Sequence, residues 1–179
     1  TRNHSSAASD VYKRQSLESA VISGITCSND DSKIILRNVP DTPGIAAKIL
    51  SPISEAGIDV DVIVQNVGSD KSTDFTFTVK NDLSEKAAKI LKDLTEDFGG
   101  GEVELVKDVS KVSVVGVGMK SHAGVAAQMF GALANKKINI DMISTSEIKI
   151  SVVVAKDKAE EAVIALHDEF ELDLSLIHI

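Results

Sequence analysis

Ser121 and His122 set a hydroxyl beside an imidazole, the two groups that nucleophilic hydrolases bring together. Adjacent residues rarely place their side chains in hydrogen-bond reach, and no third group is marked to orient the ring. The pair reads more simply as a helix start or a ligand contact. Gly116-Val117-Gly118 opens like a dinucleotide fingerprint, but Ser121 stands where the third glycine belongs, and a strand-end turn accounts for it. No G-x-x-x-x-G-K-[ST] run is present to cradle phosphates. Arg37 and Asn38 are the residue types an acyl-phosphate hydrolase aims at phosphate, yet they lie in a strand without a glycine-rich loop. His4, His122, His167 and His178 show no metal-ligand spacing with carboxylates or with Cys27. Glu160-Glu161 and Asp168-Glu169 read as solvated helix faces. The sequence assigns this chain no catalytic residue, no metal and no cofactor.

A repeated loop is more informative. Shifted by 80 residues, 44–66 falls on 124–146 without a gap. Six of the 23 positions are identical: Gly44/Gly124, Ala46/Ala126, Ala47/Ala127, Ile58/Ile138, Asp61/Asp141 and Ile63/Ile143. Average composition supplies roughly one identity in such a window, at about 5–6% per position, so the chain holds two copies of one module. In each copy a strand ends in a short polar loop, passes a glycine and enters a helix. Free N–H groups at a helix start attract a carboxylate, and a glycine lets a small ligand approach the backbone. Opposite stand Asp59-Val60-Asp61 and Asn139-Ile140-Asp141, whose side-chain oxygens suit an ammonium group. A small zwitterion fits that pattern. Each residue also has a plain structural role open to it: Asp41 as a cap, Gly44 as a site of tight packing, Asp61 and Asp141 as solvated strand residues.

The elements that hold these loops follow from periodicity. In the first copy Lys33–Val39 reads as a strand. Asp41-Thr42-Pro43-Gly44 then opens a helix, with Pro43 at its first position and Thr42 or Asp41 capping. Ala46, Ile49, Leu50 and Ile53 recur at helical spacing, Pro52 kinks or ends the helix near Ala56, and Gly57 stops it. Asp59–Val67 alternates as a strand, Gly68–Thr73 is a polar turn, and Phe75, Phe77 and Val79 share one face of the next strand. Ala87, Ile90, Leu91, Leu94 and Phe98 stripe a second helix, which Gly99-Gly100-Gly101 breaks before a closing strand, Glu102–Val106. The second copy reads Lys111–Val117 (strand), Ser121–Asn135 (helix), Ile138–Ser144 and Ile148–Val154 (strands, with a shorter turn) and Lys158–Phe170 (helix). The expected fold is α+β: two tandem ferredoxin-like βαββαβ sandwiches, antiparallel sheets with helices on one face. The expected domains are 33–108 and 109–172. Residues 17–32 connect, with a spare apolar stretch, Ala20–Thr26, able to add an edge strand to either module.

The ends look foreign to this scheme. The chain begins with Thr rather than Met, so a fragment or processed product is expected, and residues 1–16 read as disordered or added. Residues 173–179 form an apolar tail with no matching element upstream. Of the 179 residues 43% are apolar, enough for two small cores. A net charge of −8, one Tyr and no Trp argue against a nucleic-acid surface, which needs basic grooves and stacking rings. No run approaches the ~20 apolar residues of a membrane span, and Cys27 alone makes no internal disulfide. A soluble protein of a reducing compartment, the cytoplasm, is the expectation.

The run V-P-D-T-P-G-I-A-A-K-I (39–49), followed by I-D-V-D-V-I-V-Q-N-V (58–67), resembles the first ACT domain of the aspartate kinase family. V-G-V-G-M-K-S-H-A-G-V-A (115–126) and I-N-I-D-M-I-S-T-S-E-I-K-I-S-V (138–152) resemble its second, and the likeness extends over about Ser16 to Leu172. The resemblance implies regulation. In that family a separate catalytic domain transfers the γ-phosphate of ATP to aspartate, while paired ACT domains sense threonine and lysine and pair across chains. It implies a homodimer, an association with the kinase catalytic domain or large subunit, and L-threonine, with L-lysine second, as effectors. By matching position it implies an effector site of Asp41, Pro43, Gly44, Ala46 and Gln65, with Asn139 and Ile140 contributed by the partner copy. A second, weaker pocket would use Met119, Ser121, His122, Gly124, Val125, Ser146 and Glu147, facing Val60 and Asp61. Ala123 departs from the family pattern, standing where many relatives have Pro and leaving that helix start less rigid. A stand-alone amino-acid sensor and a ligand-free dimerisation module are the competing expectations.

Overall fold

The computed structural model of the chain describes residues 21–119, 123–172 and 177–178. In order these form β1 (Val21–Pro40), α1 (Ile45–Glu55), β2 (Ile63–Val67), β3 (Ser72–Lys80), α2 (Asn81–Asp97), β4 (Glu102–Val117), α3 (Ala123–Asn135), β5 (Met142–Thr145), β6 (Lys149–Ala155), α4 (Ala159–Glu169) and β7 (Ile177–His178). The chain divides into two compact units. One, the inserted unit, is the continuous segment Ser28–Ser110; the other, the flanking unit, joins the residues up to Cys27 with those from Lys111 onward. Both divisions fall inside strands, β1 and β4. Of the spare apolar stretch, Val21–Thr26 is therefore the first part of β1, and Ile25 is fully buried in the flanking unit's core.

In the inserted unit the strands lie in the order β2-β3-β1-β4. β3 runs antiparallel to both neighbours, with Ile34 and Ile63 each opposite Phe77. Alternate strand residues, Ile34, Leu36, Phe75, Phe77 and Val79, join Ile49 and Leu91 of the two helices in one core. One parity of β1 and β3 thus meets both helices, joined by Val103 and Leu105 of β4, which puts the helices on one face. The flanking unit repeats the plan with β1-β4-β6-β5. Val112, Val114, Ile150 and Val152 there meet Met129, Leu133 and Leu166 in a separate core.

Several boundaries differ from expectation. The closing strand of the first copy and the opening strand of the second are one strand, β4, because no glycine or proline interrupts Val106–Lys111. Asp108 lies within this strand at φ 59°. β1 likewise extends well upstream of Lys33, with a register shift between Leu36 and Val39. Asn38 sits there at φ 55°, a conformation Asn tolerates, and its N–H donates to Asp74 Oδ1 at 2.8 Å. The strands expected over Asp59–Val67 and Ile138–Ser144 are shorter, Ile63–Val67 and Met142–Thr145. The residues before them cross from the helix layer to the sheet, pinned by Asp61 N–H to Thr78 C=O (2.9 Å) and Asp141 N–H to Val153 C=O (2.8 Å). A 3-10 turn, Lys156–Lys158, precedes α4, and α3 is described from Ala123 rather than Ser121. Part of the tail is a strand stub: Ile177 and His178 pair in parallel with Ile25 and Thr26. Residues 1–16 and the rest of the tail's start, 173–176, lie outside the described residues.

The four α-helices among the described residues end in the same way. After α1, Gly57 takes φ 73°, its N–H donates to Ser54 C=O (2.9 Å), and Ile58 N–H donates to Ile53 C=O (3.2 Å). This is the Schellman arrangement, with its apolar contact between buried Ile53 and Ile58. Gly99 does the same after α2, Lys137 (φ 56°) after α3 and Glu171 (φ 51°) after α4. α1 also runs through Pro52 to Glu55, so the proline neither ends it nor replaces the glycine stop.

Candidate functional site

The loop between β1 and α1 is built by a tight turn. Ile45 N–H donates to Thr42 C=O at 3.1 Å, with Pro43 and Gly44 between them and Gly44 at φ 88°, ψ 0°. Proline second and a left-handed glycine third define a type II turn. The expected capping is corrected accordingly. Gly44, not Asp41 or Thr42, is the N-cap of α1, Pro43 lies outside the helix, and no side chain caps it. A side-chain cap would need Asp41 or Thr42 at the position this turn gives to Gly44. The strand end is tied down by Asp41 N–H to Lys71 C=O (3.0 Å), across to the β2–β3 turn.

This turn faces β2 over an open cavity of about 400 Å³ lined by Asp41, Thr42, Pro43, Gly44, Ile45, Ala46 and Gln65. That volume suits a single small molecule. Five of the sequence-predicted effector residues, Asp41, Pro43, Gly44, Ala46 and Gln65, therefore meet at one place. Thr42 and Ile45 complete the lining without having been anticipated, Ile45 from a side chain otherwise buried in the core. One side of the cavity is the start of α1, where helix geometry leaves N–H donors without intrahelical acceptors. The other is Gln65, whose Nε2 donates to Thr73 Oγ1 at 3.3 Å. Thr73 escaped the sequence reading too; its signal was a buried threonine on the strand paired with Gln65's own.

Asn139 and Ile140 belong to the flanking unit, in the segment leading to β5, Asn139 exposed and Ile140 half-buried. Of the second predicted pocket, the structure describes Met119, Gly124, Val125, Ser146 and Glu147 in the flanking unit. Met119 and Val125 are buried in the flanking unit's core, while Gly124 is exposed in the first turn of α3. Met119 N–H donates to Glu147 C=O (3.0 Å), which brings the end of β4 to the β5–β6 turn. Ser146 is occupied within that turn, its Oγ accepting from Lys149 N–H at 3.2 Å. Val60 and Asp61 lie in the inserted unit, and Ser121 and His122 lie outside the described residues. Arg37 is engaged with Glu104 at 2.9 Å, which holds its guanidinium more firmly protonated than usual. Among the described residues no group of His, Cys, Asp and Glu has the arrangement of a metal site. No helix among them is long and apolar enough to cross a membrane.

Both units match the ACT domain model, over residues 34–96 and 112–170. The crystal structure of the ligand-free regulatory subunit of aspartate kinase from Thermus thermophilus superimposes with a TM-score of 0.80 at 41% identity. The match covers 85% of this chain and 99% of that one. The chain belongs to the aspartate kinase family, in its regulatory ACT region. A chain from the crystal structure of aspartokinase alpha and beta subunits is similar to the same degree: TM-score 0.79, 42% identity, 85% of this chain and 100% of that one. Aspartate kinase from Pseudomonas fluorescens (strain SBW25) is 55% identical over 163 residues, 91% of this chain. The chain spans about 40% of the length of that curated relative. Within the aspartate kinase family, then, this chain is the part that carries the paired ACT domains.

Proposed function

We propose that this chain is an amino-acid-sensing regulator of aspartate phosphorylation. L-threonine binds in the cavity of the inserted unit, its carboxylate at the start of α1 and its ammonium toward Gln65 and Asp41. Asn139 and Ile140 of a second copy complete the site, so binding tightens a homodimer. An effector shifts an equilibrium only by binding one arrangement better than another. Here the favoured arrangement holds the kinase catalytic domain, or a large subunit, in a less active state, as feedback in the pathway to lysine, threonine and methionine. L-lysine is the proposed ligand of the second pocket, and the setting is the cytoplasm. The observation that supports this reading is the convergence of Asp41, Pro43, Gly44, Ala46 and Gln65 on one cavity of amino-acid size.

Calorimetric titration of the chain with L-threonine, L-lysine and both, with its mass followed in parallel, tests it. Saturable threonine binding that strengthens a dimer is expected. No heat and no change of mass with either amino acid would leave a ligand-free dimerisation module as the better account.

A further inference from the structure

We infer that Thr73 is a positioning residue for the cavity: it turns the Gln65 amide so that the carbonyl oxygen, and not the NH2 group, is offered to the bound molecule. The inference rests on the functional reading above for the identity of the ligand.

The argument is one of proton counting. Thr73 lies in β3 and is 1% exposed, so water does not compete for its hydroxyl. That hydroxyl carries a single proton, which it donates to the Asn66 carbonyl at 3.0 Å. Toward any other neighbour it can only accept. Gln65 Nε2, 3.3 Å away, is the group it accepts from. An exposed glutamine on an edge strand is otherwise free to present either end of its amide. Bound to an acceptor, Gln65 must give its NH2 to Thr73, and Oε1 is left to the cavity it lines. Among the described residues nothing donates to Oε1. The wall facing the helix start is thereby an acceptor. It complements a ligand that carries a hydrogen-bond donor opposite its carboxylate, as the ammonium and the hydroxyl of threonine both are.

Two variants separate this role from a general structural one. T73V keeps the shape and removes the acceptor; T73S keeps the hydroxyl. Titrated with L-threonine as full chains, T73S should bind within about twofold of wild type, and T73V roughly three- to tenfold more weakly. In ligand-free 15N spectra the Gln65 side-chain NH2 resonances should move in T73V and stay in place in T73S. Wild-type affinity in T73V, or unmoved Gln65 resonances, would overturn the inference. The wild-type chain offers a check that no folding defect can obscure: the Gln65 NH2 protons should show a nuclear Overhauser contact to the Thr73 side chain, and its absence also overturns the inference. Failure of the wild-type chain to bind threonine is a different result, which overturns the functional reading itself before any variant is made.

Discussion

Gly44 and Gly124 occupy the same place in the two repeats and have different conformations. Gly44 is the left-handed N-cap of α1, at φ 88°, and forms the lip of the cavity. Gly124 lies inside the first turn of α3, without a positive φ. The reverse holds at the helix ends. There the backbone is the same in both repeats while the residues differ: the inserted unit uses Gly57 and Gly99, the flanking unit Lys137 and Glu171. Residue identity and backbone conformation are thus separable even within one duplicated fold. A shared glycine does not imply a shared turn, and a shared turn does not require a glycine.

The strongest way to probe this comparison is through the paired core positions Ile53 and Leu133, both fully buried and both at the third residue from a helix end. Ile53→Ala and Leu133→Ala should each cost about 2–5 kcal/mol. Hydrogen exchange should show the loss of protection concentrated in 28–110 for the first and in the flanking unit for the second. Equal loss in both units from either change would mean that they unfold as one block, and the comparison would fail.

The glycine pair should respond with opposite signs. A Cβ added at Gly44 or at Gly124 meets nothing within 4 Å, so only backbone preference is at stake. Gly44→Ala forces an L-residue into left-handed space and should destabilise by about 1–2 kcal/mol, weakening threonine binding with it. Gly124→Ala adds a better helix former and should stabilise by about 0.4–1 kcal/mol. Urea unfolding of the two variants beside wild type reads both. At the helix ends, Lys137→Gly relieves the same strain that Gly57 avoids and should stabilise by roughly 1 kcal/mol, visible as a raised Tm.

The smallest contrast concerns the two hairpin turns and pH. The Asp70 carboxylate accepts from Ser72 Oγ and from Ser72 N–H, and these bonds hold its pKa below the usual carboxylate value. In the second hairpin Ser146 Oγ accepts from the Ile148 and Lys149 N–H groups instead. A depressed folded pKa means that Asp70 contributes stability above its unfolded pKa and loses it as pH falls through the folded value. Acidification should therefore speed exchange of the Ser72 amide, after correction for intrinsic rates, and leave that of Lys149 comparatively unchanged. Asp70→Asn should remove the difference.

Much of this was legible in the sequence. The repeat, the helix stripes and the buried face of Phe75, Phe77 and Val79 depend on periodicity, and periodicity survives without tertiary information. The family resemblance named five of the residues that line the cavity, four from the loop at Asp41–Ala46 and Gln65 from the next strand. What escaped depends on partners distant along the chain. The cap of α1 is an exception: Pro43-Gly44 is itself a local type II turn signal, and the reading of Asp41 or Thr42 as cap passed over it. The merging of two expected strands into β4 had a local sign, the lack of a glycine or proline in Val106–Lys111, but only sheet pairing shows that the strand continues through Asp108. Thr73 is invisible as a functional residue until β2 and β3 are placed side by side.

The division of the chain inside β1 and β4 has a consequence for the order in which the protein is made. The inserted unit is continuous, so all of Ser28–Ser110 is available as soon as the ribosome has released it. The flanking unit begins earlier, at Val21–Cys27, yet its partner strands and helices are synthesised only after Ser110. Domains generally fold as they emerge, and contacts between segments far apart in the chain form slowly. Ile25 must therefore wait, its apolar strand unsatisfied, until the intervening unit has folded and β4 carries the chain back. Once folded, the inserted segment is no longer a flexible loop, so bringing Val21–Cys27 to the strands made after Ser110 costs less entropy than closing an open chain of that length.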